Sequence, residues 1–112
     1  MVEVRRAGAA DAAELVRLRG VMFEQAEGSP EDAEWGRLAI ETLRARLPEA
    51  NPTLVAFVVD MANRPGILAA CAVGAVDHRL GGPGNATGKA GYIFNVVTDP
   101  DQRRRGYSRA CE

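Results

Sequence analysis

Hydrophobic positions along this chain fall into two rhythms, and the rhythm changes wherever a turn signal intervenes. Val2-Glu3-Val4-Arg5 alternates with period two and predicts a short first strand. Gly8-Ala9-Ala10-Asp11 then opens a helix, with Asp11 placed to favour its positive end. Ala12, Leu15, Leu18 and Met22 recur at helical spacing, while Asp11, Glu14, Arg17 and Glu24 fall largely to the other side. Glu27-Gly28 closes that helix. Ser29-Pro30-Glu31-Asp32 starts a second one, with an N-capping serine, a proline in the first turn and acids behind it. Gly36, Ile40, Leu43 and Leu47 form its apolar stripe, which stops near Pro48.

The rhythm then turns to strands. Thr53 to Asp60 is a continuous apolar run, as expected of a strand covered on both faces. Met61 to Gly66 is a turn punctuated by Pro65-Gly66. Ile67 to Val76 reads as a third strand, antiparallel to the second through this hairpin. Its small residues (Ala69, Ala70, Ala72, Gly74, Ala75) leave room for a close helix or a ligand. A Gly-rich polar loop, Gly81 to Gly88, leads to the fourth strand, Tyr92 to Thr98, which Asp99-Pro100 stops.

The segment after that strand carries the chemistry. Arg103-Arg104-Arg105-Gly106-Tyr107-Ser108 runs into Arg109-Ala110-Cys111, which can begin a helix. A strand, a short basic loop bearing a glycine and a helix start together make an anion cradle. The unpaired N–H groups of a helix's first turn point at the ligand, and the helix dipole favours negative charge there.

Composition narrows the field. One domain of 112 residues with 26% charged residues and a net charge of −1 lacks the basic surface of a nucleic-acid binder. No apolar run approaches a membrane span, and the N-terminus has no signal-peptide core, so the cytoplasm is the default and no membrane partner is expected. Cys71 and Cys111 match no metal spacing; Cys71 reads as a small buried hydrophobe. His78, the single histidine, reads as an exposed strand-end residue. Trp35 either packs the second helix on the sheet or lines an acceptor pocket. Asn95, the one polar residue inside the fourth strand, either orients the acceptor or a water or satisfies a local backbone irregularity.

The stretch NVVTDPDQRRRGYSRA resembles the coenzyme A signature of the GNAT acyltransferases: a fourth strand, a proline, then Arg/Gln-x-x-Gly-x-Gly/Ala. Arg103 fills the first position, Gly106 the glycine and Ser108 the last, where the family has Gly or Ala. The resemblance implies an α/β (α+β) fold with a mixed, mainly antiparallel sheet, in the order strand, helix, helix, three strands, helix. Residues 1–52 would supply the first strand and the acceptor-side helices, 53–98 strands two to four, and 99–112 the pyrophosphate loop. It implies acetyl-CoA as co-substrate and no metal. Backbone groups of Val96, Val97 and Thr98 would face the pantetheine. The amides from Arg104 to Arg109, with Tyr107 among them, and the guanidinium groups of Arg103, Arg104 and Arg105 would hold the pyrophosphate. The acceptor would be an amine of a small molecule or a peptide.

Two departures matter. Strand four has no glutamate to serve as base, which leaves Asn95 as the catalytic candidate and keeps a non-catalytic acyl-CoA-binding module as the alternative. The resemblance also predicts a fifth strand, a further helix and a final hairpin after the third helix, while this chain stops at Glu112. Truncation of a longer parent is the expectation; completion of the fold by a partner chain, as in a homodimer, is the other reading. An unrelated phosphate-binding domain lacks the GxxxxGK[ST] or GxGxxG loop it would need.

Overall fold

The computed structural model describes residues 3–23, 33–50 and 52–100. Four strands form one antiparallel sheet in the order β1-β2-β3-β4: β1 Arg5–Arg6, β2 Leu54–Asp60, β3 Leu68–His78 and β4 Lys89–Thr98. Two helices, α1 Ala12–Met22 and α2 Glu34–Arg46, lie between β1 and β2 in the chain. They cover one face of the sheet, where Ala12, Leu15, Val16 and Leu18 of α1 and Leu43 of α2 meet Leu54, Ala56, Val58, Cys71, Val73 and Val97 in a single apolar core.

The helices follow the 3.6-residue pattern with two corrections. Met22 is exposed rather than part of the stripe, and the side of α1 that carries Glu14 and Arg17 is half-buried rather than solvated. Those two charges form an ion pair that reaches down to the sheet. A 3-10 turn, Ala9–Asp11, precedes α1, and the Gly8 N–H donates to Asp11 Oδ2 at 2.9 Å, so Asp11 satisfies one donor at the entry to the helix. On α2, Gly36, Leu43 and Leu47 are buried and Ile40 packs against the core, as the sequence pattern requires. Glu24, the Glu27-Gly28 stop and the Ser29–Asp32 start lie outside the described residues.

In β2 the apolar run is not covered on both faces. Leu54, Ala56 and Val58 are buried under the helices, whereas Phe57, on the opposite face, is 41% exposed. Among the described residues β1 is Arg5–Arg6, overlapping the expected Val2–Arg5 only at its last residue; it pairs through Arg5 with Val58 and Arg6 with Phe57, and the Ala7 N–H extends that edge by donating to Ala56 O.

The β3–β4 connection turns on Gly88, which has φ +73° and whose carbonyl accepts from the Arg79 N–H at 2.7 Å. A Cβ there would collide with the Arg79 carbonyl. Gly88→Ala is expected to cost more than the left-handed penalty of about 1–2 kcal/mol for an L-residue, because the Arg79 carbonyl must also move, read as a lowered urea midpoint with an unchanged slope.

Arg5 joins the edge strand to the entry of α1. Its guanidinium binds Asp60 (2.7 Å) and Asp11 (2.7 Å) together. These hydrogen bonds hold both carboxyl groups below their ordinary pKa, and burial opposes the shift in each. A depressed carboxyl contributes stability above its unfolded pKa and loses it as pH falls through the folded one. The chain should therefore lose a modest increment below about pH 4. Because the site is largely exposed, that increment is about 1 kcal/mol or less. Arg5→Met should flatten this part of the stability–pH curve while lowering stability at neutral pH.

Candidate active site

β4 is regular on either side of one break. Val73 pairs with Asn95 and Gly74 with Ile93, so Phe94 is an extra residue that opposes nothing on β3. Such a bulge leaves its extra residue off the ladder and turns two successive side chains toward one side. Phe94 and Asn95 accordingly both line the same cavity on the helix face. Gly74 is small for this reason. A Cβ on it would stand 2.9 Å from the Tyr92 carbonyl oxygen, where the bulged strand presses against β3. The room left by the small residue is taken up by backbone here, not by a helix or ligand.

The cavity, about 270 Å³, lies between α1, α2 and the sheet. Its wall is mostly apolar, with Leu15, Val16, Leu43 and Val73 in it, and its polar groups are few: Arg19, Thr42, Arg46 and Asn95. Asn95 is 2% exposed and fully engaged. Its Oδ1 accepts from Arg19 Nη1 at 2.8 Å, and its Nδ2 donates to Cys71 Sγ at 3.6 Å. Both bonds are to side chains, and through them Asn95 anchors Arg19 beside the bulge. The Arg19 guanidinium also sits 4.8 Å from the centre of the Phe23 ring, which meets Trp35 edge-on at 5.8 Å. Trp35 therefore packs α2 against the end of α1 and the core, outside the cavity lining. At the other end of the cavity, Arg46 Nη2 donates to Thr53 Oγ1 at 2.6 Å.

Beyond the bulge, Val97 is buried in the core while Val96, on the opposite face, is exposed and Thr98 half-buried. No strand pairs with the outer edge of β4 among the described residues. The strand's end is held firmly. Asp99 donates its N–H to Ala69 O, and its carboxylate accepts from Arg17 Nη1 at 2.8 Å. Arg17 also binds Glu14 (2.7 Å) and donates to Leu68 O, and Glu14 accepts from the Leu68 N–H. Burial works against the charge on Arg17, yet its bonds to Glu14 and Asp99 outweigh that and hold its pKa above the ordinary guanidinium value. The loop predicted to bind pyrophosphate, with Arg103, Arg104, Arg105, Gly106, Tyr107, Ser108 and Arg109, lies outside the described residues, as does Cys111.

His78 stands exposed at the end of β3, as expected. Among the described residues no group of three His, Cys, Asp or Glu side chains could hold a metal, and no helix is long and apolar enough to cross a membrane. Sequence reasoning missed Arg19 and Arg46 as lining residues. The signal was present: Arg19 follows Leu15 by four positions and Arg46 follows Leu43 by three, so each borders a buried stripe.

No protein-family model matches the chain, and no curated protein matches it. Solved structures do. A protein of Clostridium acetobutylicum described as an acetyltransferase and solved with acetyl-CoA superposes with a TM-score of 0.70 at 25% identity, covering 98% of this chain and 68% of its own. A GCN5-related N-acetyltransferase of Ralstonia eutropha gives 0.72 at 25% identity, over 99% of this chain and 71% of its own. The glucosamine-6-phosphate N-acetyltransferase of Arabidopsis thaliana, at 19% identity, is a likeness of fold alone: 0.66, over 99% of this chain and 69% of its own.

Proposed function

We propose, from a chain that carries the GNAT acyltransferase fold, that it forms the acceptor cavity and acyl site of an N-acetyltransferase, moving acetyl from acetyl-CoA to a primary amine of a small molecule. The observation that carries this reading is the bulge at Phe94, set beside a mostly apolar cavity on a strand whose outer edge pairs with no strand among the described residues. A peptide group taken off the β3 ladder supplies a backbone N–H fixed in place before the substrate arrives. A donor of that kind, in a site partly shielded from water, stabilises the oxyanion that develops when a thioester carbonyl is attacked.

In this reading the pantetheine arm lies along the outer edge of β4, on backbone groups of Val96, Val97 and Thr98. The pyrophosphate reaches the loop from Arg103 to Arg109, with Gly106 allowing close approach of the backbone. The amine enters from the cavity. Its nitrogen attacks the carbonyl carbon, the C–N bond forms, and the C–S bond breaks. The coenzyme thiolate leaves and takes up, directly or through water, the proton that the nitrogen gives up. Rate comes mainly from holding the two reactants at near-attack distance. Asn95 acts as a positioning residue here, because both of its polar ends are already committed to Arg19 and Cys71. A cavity of about 270 Å³ favours a small acceptor over an extended peptide.

The test is release of free coenzyme thiol from acetyl-CoA against a panel of primary amines, with the acetylated product identified by mass. Amine-dependent release is expected. Coenzyme binding without turnover on any amine would overturn the proposal in favour of a non-catalytic acyl-CoA-binding module.

A further inference from the structure

The cavity has a charge pattern that selects among amines. Among the described residues two guanidinium groups line it, Arg19 and Arg46, and no carboxylate does. Three arginines elsewhere in the described residues are matched with acids, Arg5 with Asp11 and Asp60, Arg17 with Glu14 and Asp99, Arg79 with Asp77, and Arg6, Arg44 and Arg64, which form no ion pair there, are exposed to solvent. Among those same residues, Arg19 and Arg46 make no ion pair of this kind. Each spends one donor on a neutral oxygen, that of Asn95 or of Thr53. A guanidinium carries five N–H donors and stays charged at any physiological pH. Each therefore keeps donors to spare beside a cavity with largely apolar walls, where an anion gains more than it would in water.

The two cations stand at different ends. Thr53, the anchor of Arg46, lies opposite Val76 across the β2–β3 pairing, and Asn95, the anchor of Arg19, lies opposite Val73 across β3–β4. Three residues along the sheet and two strands across put those anchors about 14 Å apart. An anion held beside Thr53 therefore lies away from Asn95 and the bulge. Arg19 belongs to the bulge end, where the amine must meet the thioester; a positive charge there disfavours an ammonium and favours the free amine that can attack. Arg46 is left for the far end of the acceptor; the Thr42 hydroxyl one turn before it on α2 donates to Leu38 O.

We infer that the acceptor carries an anionic group, a carboxylate or a phosphate, held by Arg46 at the end of the cavity away from the bulge, so that its amine is presented beneath Arg19. The inference rests on the proposed acetyltransferase activity and names the substrate class of that site.

Matched pairs test it. Binding to the purified chain is measured by calorimetry without coenzyme, for β-alanine against β-alaninamide and for O-phosphoethanolamine against ethanolamine, with spermidine as a polycation. Acetyl transfer to each is measured separately. The anionic member should bind about 10- to 100-fold tighter than its neutral partner, the range for a charge-assisted hydrogen-bonded pair. The two pairs distinguish carboxylate from phosphate. Arg46→Met should collapse the anionic-to-neutral ratio toward one, and Arg46→Lys should retain part of it. Equal binding within both pairs, tighter binding of spermidine, or no detectable binding of either anion overturns the inference. Should Arg46→Met fail to fold, the matched pairs on the native chain still decide. Anionic amines that bind tightly but are never acetylated would sink the acetyltransferase reading and leave the anion site standing; acetylation without regard to charge would do the reverse.

Discussion

Deleting Phe94 should cost acetyl transfer about 100- to 1,000-fold in kcat/KM, the range for losing one fixed oxyanion donor, while acetyl-CoA affinity changes only a few-fold. The deletion isolates the bulge. Ile93 already pairs with Gly74 and Asn95 with Val73, so joining them directly closes the ladder without moving any other pair. The faces also stay in order: Val73, the partner of Asn95, faces the helices, and Gly74, the partner of Ile93, is its neighbour on the alternate face. A deletion elsewhere in β4 would shift the register and send core residues into solvent. Circular dichroism and a thermal melt should show the variant folded. Acetyl transfer at the native rate in a folded deletion variant would remove the bulge from the mechanism.

The second large effect is expected at the clamp on the end of β4. Arg17→Met leaves two carboxylates, Glu14 and Asp99, without the cation between them, and the Asp99 side chain is only 9% exposed. Removing the cation that faces a nearly buried carboxylate in this way costs about 3 kcal/mol. Arg17 itself is partly solvated, which places the effect at the lower end of what such losses show. For a domain of this size the melting temperature should fall by about 12–20 °C at neutral pH. Asp99→Asn should be milder, since the amide oxygen still accepts from Arg17. A melt of Arg17→Met within a few degrees of the native chain would mean that the clamp is ornamental.

How much of this could be read from residues alone differs from element to element. Helix stripes and strands were legible because burial writes itself into side-chain type: Ala12, Leu15 and Leu18 face the sheet, and Leu54, Ala56 and Val58 face back. The bulge was legible only in part: Asn95, the one polar residue inside the strand, admitted a local backbone irregularity as one of its two readings, but an extra residue is a property of pairing between strands. Gly74 hinted at it, and the hint was ambiguous, since a small residue serves a ligand, a helix or a displaced carbonyl equally well. Arg17 illustrates the opposite error. A charge beside Glu14 on an amphipathic helix suggests a solvated pair, and only the sheet's position reveals Leu68 and Asp99 as its further partners. The coenzyme loop remains a sequence-level proposal, as its residues lie outside those described.

The placement of Ala39, Thr42, Leu43 and Arg46 on one stripe of α2 has a consequence for how such a chain changes over time. In the proposed reading the far end of the acceptor is selected by side chains of α2, whereas the acyl centre is written in the backbone of β4. Exchanges at positions 39, 42 and 46 can therefore retarget the protein to a new amine without disturbing the step that transfers the acetyl group. Descendants of one ancestral chain can diverge in substrate while the reaction itself stays the same.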